Sequence, residues 1–489
     1  MPGRPRRPAS RGANSQPNRL VPPTPSLGRE VSREWFTPTP AVAPLETEPR
    51  LLPGPLADAV VEVAAEVLAH LEERGPAGRL DQALAAALRP RHQLGRTGRR
   101  FAAEAVMALA RWQGWISPKR VPDLTARLLL AWLLDADHLP PAVRVWARSL
   151  GYDPHDLVPL GDAPSWPARS EAIKRARPFQ NAHVAADPWR LVPDWFRRKV
   201  VEPPGEHGEK AAWLELIQGI QKRPSVWIRT QGGPPEPILS ELRARGLAPW
   251  IHRRLLTAAR LGPDADTPHD PLFQAGRFEV QDLGSQAIGW VAAPKPGQRW
   301  WDACAGAGGK TLHLADLTRG KGLIVATDHH AGRLKELTRR QRRAGFSHIR
   351  PLEYDLVTAP EPPPPGQFDG VLIDAPCTAM GTWRRNPEAR WRTPVAAIEE
   401  LGHKQRRLLE RAAQGVAPGG VLIYAVCSLT IAETTDVIAS FLKTRPEFAP
   451  EPFDDPLTGQ PTSGLLWIWP HLADSDGHFV ARLRRWAST

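Results

Sequence analysis

Residues 300–311, Trp300-Trp301-Asp302-Ala303-Cys304-Ala305-Gly306-Ala307-Gly308-Gly309-Lys310-Thr311, read as a short strand, a glycine turn and the start of a helix. Glycine lets a backbone pass close to a ligand, and a helix N-terminus offers free N–H groups. Two nucleotide patterns compete for this loop and both fail. A phosphate loop, G-x-x-x-x-G-K-[ST], would end on Gly309-Lys310-Thr311, but its first glycine falls on Cys304. The dinucleotide pattern G-x-G-x-x-G requires a third glycine where Thr311 stands. What remains is a compact glycine turn after the first strand of a parallel sheet.

The next apolar run, Gly322-Leu323-Ile324-Val325-Ala326-Thr327-Asp328, ends in an acid. An acid at the tip of the second strand is placed to accept hydrogen bonds from ribose hydroxyls. A nucleoside-containing cofactor with little or no phosphate fits better than ATP or NAD, and S-adenosylmethionine is the candidate. Beyond it the chain alternates strand and helix, the signature of an α/β fold with a parallel sheet. Strands are expected at 349–355, 368–374 and 421–427, with Pro418-Gly419-Gly420 turning into the last. Helices are expected near 331–344, 395–414 and 431–443, and Thr430 with Glu433 reads as a capping box for the third. Residues 465–469 and 478–483 can close the sheet as a hairpin. Ligands of such sheets sit at the carboxyl ends of the strands, where Asp328, Asp355, Asp374, Cys377 and Cys427 all fall.

The 489-residue chain is too long for one core, so roughly two to four domains are expected. Residues 1–50, rich in Pro, Ser and Arg, read as a disordered basic tail carrying Arg4, Arg6, Arg7 and Arg11. Residues 51–189 read as a helical domain and connector, with a basic segment at Arg89, Arg91, Arg96, Arg99 and Arg100. Residues 190–275 read as a small α+β module, in which Arg253, Arg254 and Arg260 are candidates to line a nucleic-acid path. Residues 276–489 hold the α/β domain. Lys and Arg number 64 against 52 Asp and Glu, a net charge of +12 that favours a polyanionic partner. The three cysteines include no C-x-x-C pair, so neither a zinc site nor a disulfide framework is expected. No membrane span or secretory signal is read, and a cytoplasmic monomer is expected. The 19 tryptophans are assigned to core packing.

Asp374-Ala375-Pro376-Cys377 ends one strand and Cys427-Ser428-Leu429 the next. If the strands are neighbours, the two thiols converge on one pocket. A buried thiol is ordinarily only a small hydrophobe, but two at strand tips beside a cofactor loop suggest methylation of a pyrimidine carbon-5. That carbon is too weak a nucleophile until a thiolate adds to carbon-6, and a base must then remove the carbon-5 proton. Thiolate is the active form, so the nucleophile needs a depressed pKa or a nearby base. A helix starting near Thr430 is expected to help stabilise a Cys427 thiolate. The residues alone do not choose between Cys377 and Cys427 as the nucleophile.

Residues from about 275 to 486 resemble the catalytic domain of the Sun family of RNA cytosine-5 methyltransferases. The resemblance rests on 280–286 (Val280-Gln281-Asp282-Leu283-Gly284-Ser285-Gln286), 302–311, Asp374 to Cys377, Gly381-Thr382-Trp383-Arg384-Arg385-Asn386-Pro387, Cys427 to Leu429 and Asp476-Gly477-His478-Phe479. It implies a Rossmann-like class I methyltransferase sheet, a small RNA-binding module before it and, more loosely, a NusB-like helical extension. It implies Cys427 as the nucleophile and Cys377 as the group that assists product release, with Asp374 and Lys310 near the target base. It also implies cofactor contacts from Cys304, Ala305, Gly306, Ala307, Gly308, Gly309 and Lys310, and from Asp328, Asp355 and Asp374, with no metal. Thr378-Ala379-Met380 departs from the family, where a Ser-Gly or Ser-Ala start is commoner. The implied substrate is RNA, ribosomal before transfer RNA. A binding protein without turnover, such as a ribosome assembly factor, and an NTPase using Lys310 with Asp374 are the competing readings.

Overall fold

A computed structural model describes residues 51–75, 78–157, 187–262, 265–359 and 367–486. The basic tail and most of the connector, 158–186, lie outside the described residues. Among the described residues the first domain holds five α-helices, Pro53–Arg74, Leu80–Leu88, Gly95–Trp112, Leu124–Asp135 and Pro141–Ser149. Proline opens the first and the last, where its missing N–H costs nothing, and the Asp123 side chain caps the fourth by accepting from Ala126 N. Their apolar stripes close around Trp112, Trp115, Trp132 and Trp146, all fully buried. That core continues through Trp195, Phe196 and Trp213 into Met380, Trp383 and Leu429 of the last domain. Phe196 stacks on Trp383 with ring centroids 5.9 Å apart. Many of the tryptophans therefore pack one shared core that joins the domains.

The small module is an antiparallel sheet of β1 (Val226–Thr230), β2 (Trp250–Ile251), β3 (Ala258–Leu261) and β4 (Phe278–Val280), ordered β2-β3-β1-β4. Helix Pro235–Ala244 buries Ile238, Leu239 and Leu242 against it. Because β4 pairs with β1, this sheet reaches past residue 275.

The last domain is built on β5 (Arg299–Asp302), β6 (Leu323–Asp328), β7 (Ile349–Glu353), β8 (Phe368–Asp374), β9 (Val416–Val426), β10 (Phe448–Pro450), β11 (Leu465–Ile468) and β12 (His478–Arg485). The order is β10-β12-β9-β8-β5-β6-β7, with β11 paired to β12. Strands β9, β8, β5, β6 and β7 run parallel, while β12 pairs antiparallel with β9. Side chains alternate between the faces, as strand geometry requires. Trp300, Leu372 and Ile423 enter one core, and Trp301, Val371, Ile373 and Leu422 the other. Layers on both faces explain why β8 and β9 are nearly continuous apolar runs.

Three boundaries differ from the sequence reading. The third parallel strand ends at Glu353, because Asp355 turns the chain by accepting from Val357 N and Thr358 N. Pro418-Gly419-Gly420 does not precede the fifth strand but lies inside it. β9 already pairs Val416 with Phe368, and the register then shifts to Gly370 and Val421. The helix expected from 431 starts at Thr435, after a single tight turn at Ile431–Glu433. Among the described residues no helix is long and apolar enough to cross a membrane.

Candidate active site

The glycine turn leaves β5 at Asp302 and enters the helix Gly309–Leu317. Gly306 and Gly308 hold φ of +54° and +89°, and a Cβ on Gly308 would lie 2.7 Å from Leu337 Cγ. Only glycine makes this turn without strain. Gly306 N donates to Asp328 Oδ2 at 2.9 Å, and His330 N to Asp328 Oδ1 at 2.8 Å. Each oxygen keeps a lone pair for a ligand hydroxyl. Asp302 is buried; Thr311 Oγ1 donates to its Oδ2 at 2.7 Å, and its Oδ1 has no partner. This cradle fits a nucleoside-bearing cofactor: two left-handed glycines, a loop too short to wrap a triphosphate, an acid at the tip of β6 and an orphaned buried acceptor. Asp355 makes its own turn, away from this loop's hydrogen bonds.

Lys310 Nζ donates to Asp374 Oδ2 at 2.6 Å. Burial works against the ammonium, but the Asp374 carboxylate outweighs it and holds the pKa above the ordinary lysine value. A lysine committed to a carboxylate is poorly placed to cradle phosphates, which counts against the NTPase reading. Cys377 and Cys427 leave neighbouring parallel strands, and their Sγ atoms are 3.3 Å apart. Contact with Cys427 and burial push the Cys377 thiol well above its ordinary pKa. Cys304 is half-buried and its thiol is also pushed up, chiefly by burial. The structure thus gathers Lys310, Asp374, Cys377 and Cys427, with the glycine loop beside them. No cluster of three metal-ligating side chains occurs among the described residues.

The quoted motif pieces brace this site. Arg385 Nη2 donates to Asp282 Oδ1 at 2.8 Å and Arg385 Nε to Asp476 Oδ2 at 2.6 Å. Gly381 N donates to the Cys427 carbonyl at 2.9 Å, and Gly477 N to the Gly381 carbonyl at 2.8 Å. The glycine loop is held by an arginine of its own domain that is anchored in turn on the small module's sheet. Arg340 Nη1 donates to Ala307 O at 2.9 Å while its Nη2 reaches Glu279 on β4 at 2.9 Å. The sequence reading missed Asp302, the Glu279–Arg340 pair and Glu433. It expected Glu433 to cap a helix beside Cys427. The carboxylate instead points inward to the two cysteine loops, and the α-helix begins two residues later. A single tight turn, not the α-helix, therefore begins directly after Thr430. The proposed basic faces are largely paired within the chain: Arg91 with Glu66, Arg96 with Asp266, Arg100 with Glu104 and Arg260 with Asp474.

Two expected results follow from local geometry. Ala379, at φ 54° and ψ 27°, sits in the left-handed region. Ala379→Gly should stabilise by about 1 kcal/mol, read as a raised melting temperature; an unchanged or lowered value would remove the strain argument. Asp302 is pushed up to about 7, chiefly by burial. An unfolded aspartate ionises near ~3.9. Between those values the folded protein holds the extra proton, so this group makes stability fall as pH rises through that window. Asp302→Asn should show a smaller loss of melting temperature from pH 5 to pH 8 than the parent protein.

The model of the family described as 16S rRNA methyltransferase RsmB/F matches residues 290–484. The chain is 38% identical over 219 residues to the probable ribosomal RNA small subunit methyltransferase B of Synechocystis sp., covering 44% of this chain and 49% of that one. It is 34% identical over 283 residues to the ribosomal RNA small subunit methyltransferase B of Shewanella oneidensis, covering 55% and 63%. With the probable enzyme of the same name from Bacillus subtilis it shares 31% over 301 residues, covering 60% and 66%. The chain thus spans about half to two thirds of the length of these relatives. Among solved structures, that titled PH0851 superposes with a TM-score of 0.66 at 26% identity, covering 89% of this chain and 99% of that one.

Proposed function

We propose, from the match of residues 290–484 to the model of the family described as 16S rRNA methyltransferase RsmB/F, that the chain methylates carbon-5 of a cytosine in ribosomal RNA through a covalent cysteine adduct. The observation that carries the reading is the pair of thiols 3.3 Å apart at the ends of adjacent parallel strands, beside the Lys310–Asp374 pair. A thiol buried for packing alone needs neither a second thiol nor a charged neighbour.

S-adenosylmethionine would supply the methyl group as an electrophilic sulfonium, held by Cys304 to Gly309, Asp328 and Asp374, with Asp355 the outermost candidate contact. Cys427 adds as thiolate to carbon-6, which turns carbon-5 into an enamine-like nucleophile. Lys310 and Asp374 hold the base, Asp374 on its Watson–Crick edge. After transfer, the carbon-5 proton leaves to a base assisted by Cys377, the carbon-6–sulfur bond breaks and Cys427 departs with its electron pair. The family resemblance assigns the opening nucleophilic step to Cys427, and the active form of that group is the thiolate. The target nucleotide must be splayed out so that carbon-6 can reach the thiol. The helical domain and the small module are the proposed RNA-contacting parts.

The test is methyl transfer from labelled S-adenosylmethionine to small-subunit ribosomal RNA and to transfer RNA, followed by nucleoside analysis. Label in 5-methylcytidine from ribosomal RNA is the expected result. Label confined to transfer RNA would move the substrate. Cofactor binding without label on either RNA or on ribosomal particles would overturn the enzyme reading in favour of a binding protein.

A further inference from the structure

We propose that Glu433 is a positioning residue that sets the distance between the two cysteines, an inference that rests on the proposed two-thiol chemistry. Glu433 is fully buried, and its carboxylate meets five donors, all neutral. Thr378 N and Gln405 Nε2 donate to Oε1 at 2.8 and 3.1 Å. Thr378, Ser428 and Thr430 donate their hydroxyls to Oε2 at 2.6, 2.6 and 2.8 Å. Thr378 directly follows Cys377, and Ser428 directly follows Cys427. One carboxylate therefore grips the first residue beyond each thiol.

The remaining contacts close the bracket. Gln405 Nε2 also donates to Pro376 O at 2.9 Å, on the other side of Cys377. Tyr424 OH donates to Gln405 Oε1 at 3.1 Å and to the Glu433 carbonyl at 2.8 Å. A buried carboxylate without a cation is costly unless its lone pairs are filled. Hydrogen bonds to a charged acceptor are shorter and stronger than neutral ones, and four of these five measure 2.6 to 2.8 Å. Packing alone does not require a charge here, since glutamine or leucine would fill the space. A charge is needed if both loops must be held to one point with little play. Thr378 keeps the hydroxyl that a serine would offer, so the departure from the family's commoner residue preserves this contact. The negative charge also adds to the rise of the Cys377 pKa, after its contact with Cys427 and burial.

The deciding measurement uses the full chain without RNA or cofactor, so it reads thiol geometry even if the proposed reaction is wrong. Diamide accepts two electrons and two protons as two thiols become a disulfide, and mass spectrometry follows the Cys377–Cys427 link. The parent protein should cross-link readily. Glu433→Gln should slow the link at least tenfold, lower the apparent pKa of Cys377 alkylation, and leave S-adenosylmethionine affinity within about twofold. Thr378→Val and Ser428→Ala, which each free one loop and keep Glu433, should each slow the link by a smaller factor; they decide the matter if Glu433→Gln fails to fold. Methyl transfer, where measurable, should fall in the same order through kcat rather than KM. Cross-linking at the parental rate in Glu433→Gln, or in both single-loop variants, would overturn the proposal. So would slowing matched by an equal loss of cofactor binding, which would mark general unfolding.

Discussion

Cys427→Ala should lose methyl transfer by on the order of 10⁴-fold or more and form no covalent RNA adduct, whereas Cys377→Ala should lose turnover yet accumulate the adduct. The asymmetry follows from what each thiol must do. Without the carbon-6 adduct, carbon-5 has no electron density to offer, and no positioning of the methyl donor compensates. Without assistance to proton removal, methylation proceeds but the carbon-6–sulfur bond cannot break. The two sulfurs lie 3.3 Å apart, so either could reach the same base edge, and distance does not assign the roles. The assignment rests on the family resemblance. Single-turnover transfer and denaturing-gel detection of the RNA–protein species read the two steps separately. An adduct in Cys427→Ala and none in Cys377→Ala would exchange the roles. Loss of both signals in both variants, with the fold intact, would mean that the thiols act as one unit.

What the sequence made legible was whatever depends on periodicity and strand polarity. Parallel strands deliver their carboxyl ends to one edge, so Asp328, Asp374, Cys377 and Cys427 could be placed together before any coordinates. The convergence of the thiols needed only that β8 and β9 be neighbours, and they are. Glu433 could not be read in this way. Thr430 and Glu433 have the spacing of a helix cap, and local sequence cannot distinguish a side chain turned back to its own helix from one turned to two loops. Its partners Thr378 and Gln405 are 55 and 28 residues away. Arg340 was equally hidden. It is one of several arginines on the helix Ala331–Ala344, and its guanidinium joins Ala307 of the cofactor loop to Glu279 of the small module. Such contacts cross domains, and no period encodes them. They also tie the small module's sheet to the glycine loop. Arg229 Nε donates to Gln281 Oε1, and Gln281 Nε2 reaches the Gly309 carbonyl at 3.4 Å. A disturbance of that sheet would therefore reach the glycine turn through two separate routes.

The largest loss of stability should come from a residue remote from the chemistry. Asp135→Ala is expected to cost about 3–5 kcal/mol, because it leaves a buried guanidinium without its counter-charge. The Arg111 and Asp135 side chains are only 4% and 3% exposed. Arg111 Nη1 reaches both carboxylate oxygens at 2.7 Å, Trp112 Nε1 donates at 3.0 Å and Arg223 Nε at 2.8 Å. The cluster extends across the domains: the Arg223 carbonyl accepts from Arg384, whose guanidinium also holds Asp474 and the Ser475 carbonyl. Replacing Arg111 as well, by methionine, should recover part of the loss, since the stranded charge rather than the absent pair is what destabilises. Burial pushes the Asp135 carboxyl up, but Arg111 and then Arg223 outweigh it and hold the pKa below the ordinary value. The stabilisation is therefore fully present above the unfolded value near ~3.9 and is lost as pH falls through the lower, folded value. Urea unfolding at pH 7 should show the full difference between the parent protein and Asp135→Ala, and the difference should narrow on acidification below about pH 4. A loss under 1 kcal/mol at pH 7, or one that does not change with acid, would mean that the cluster is neutral packing.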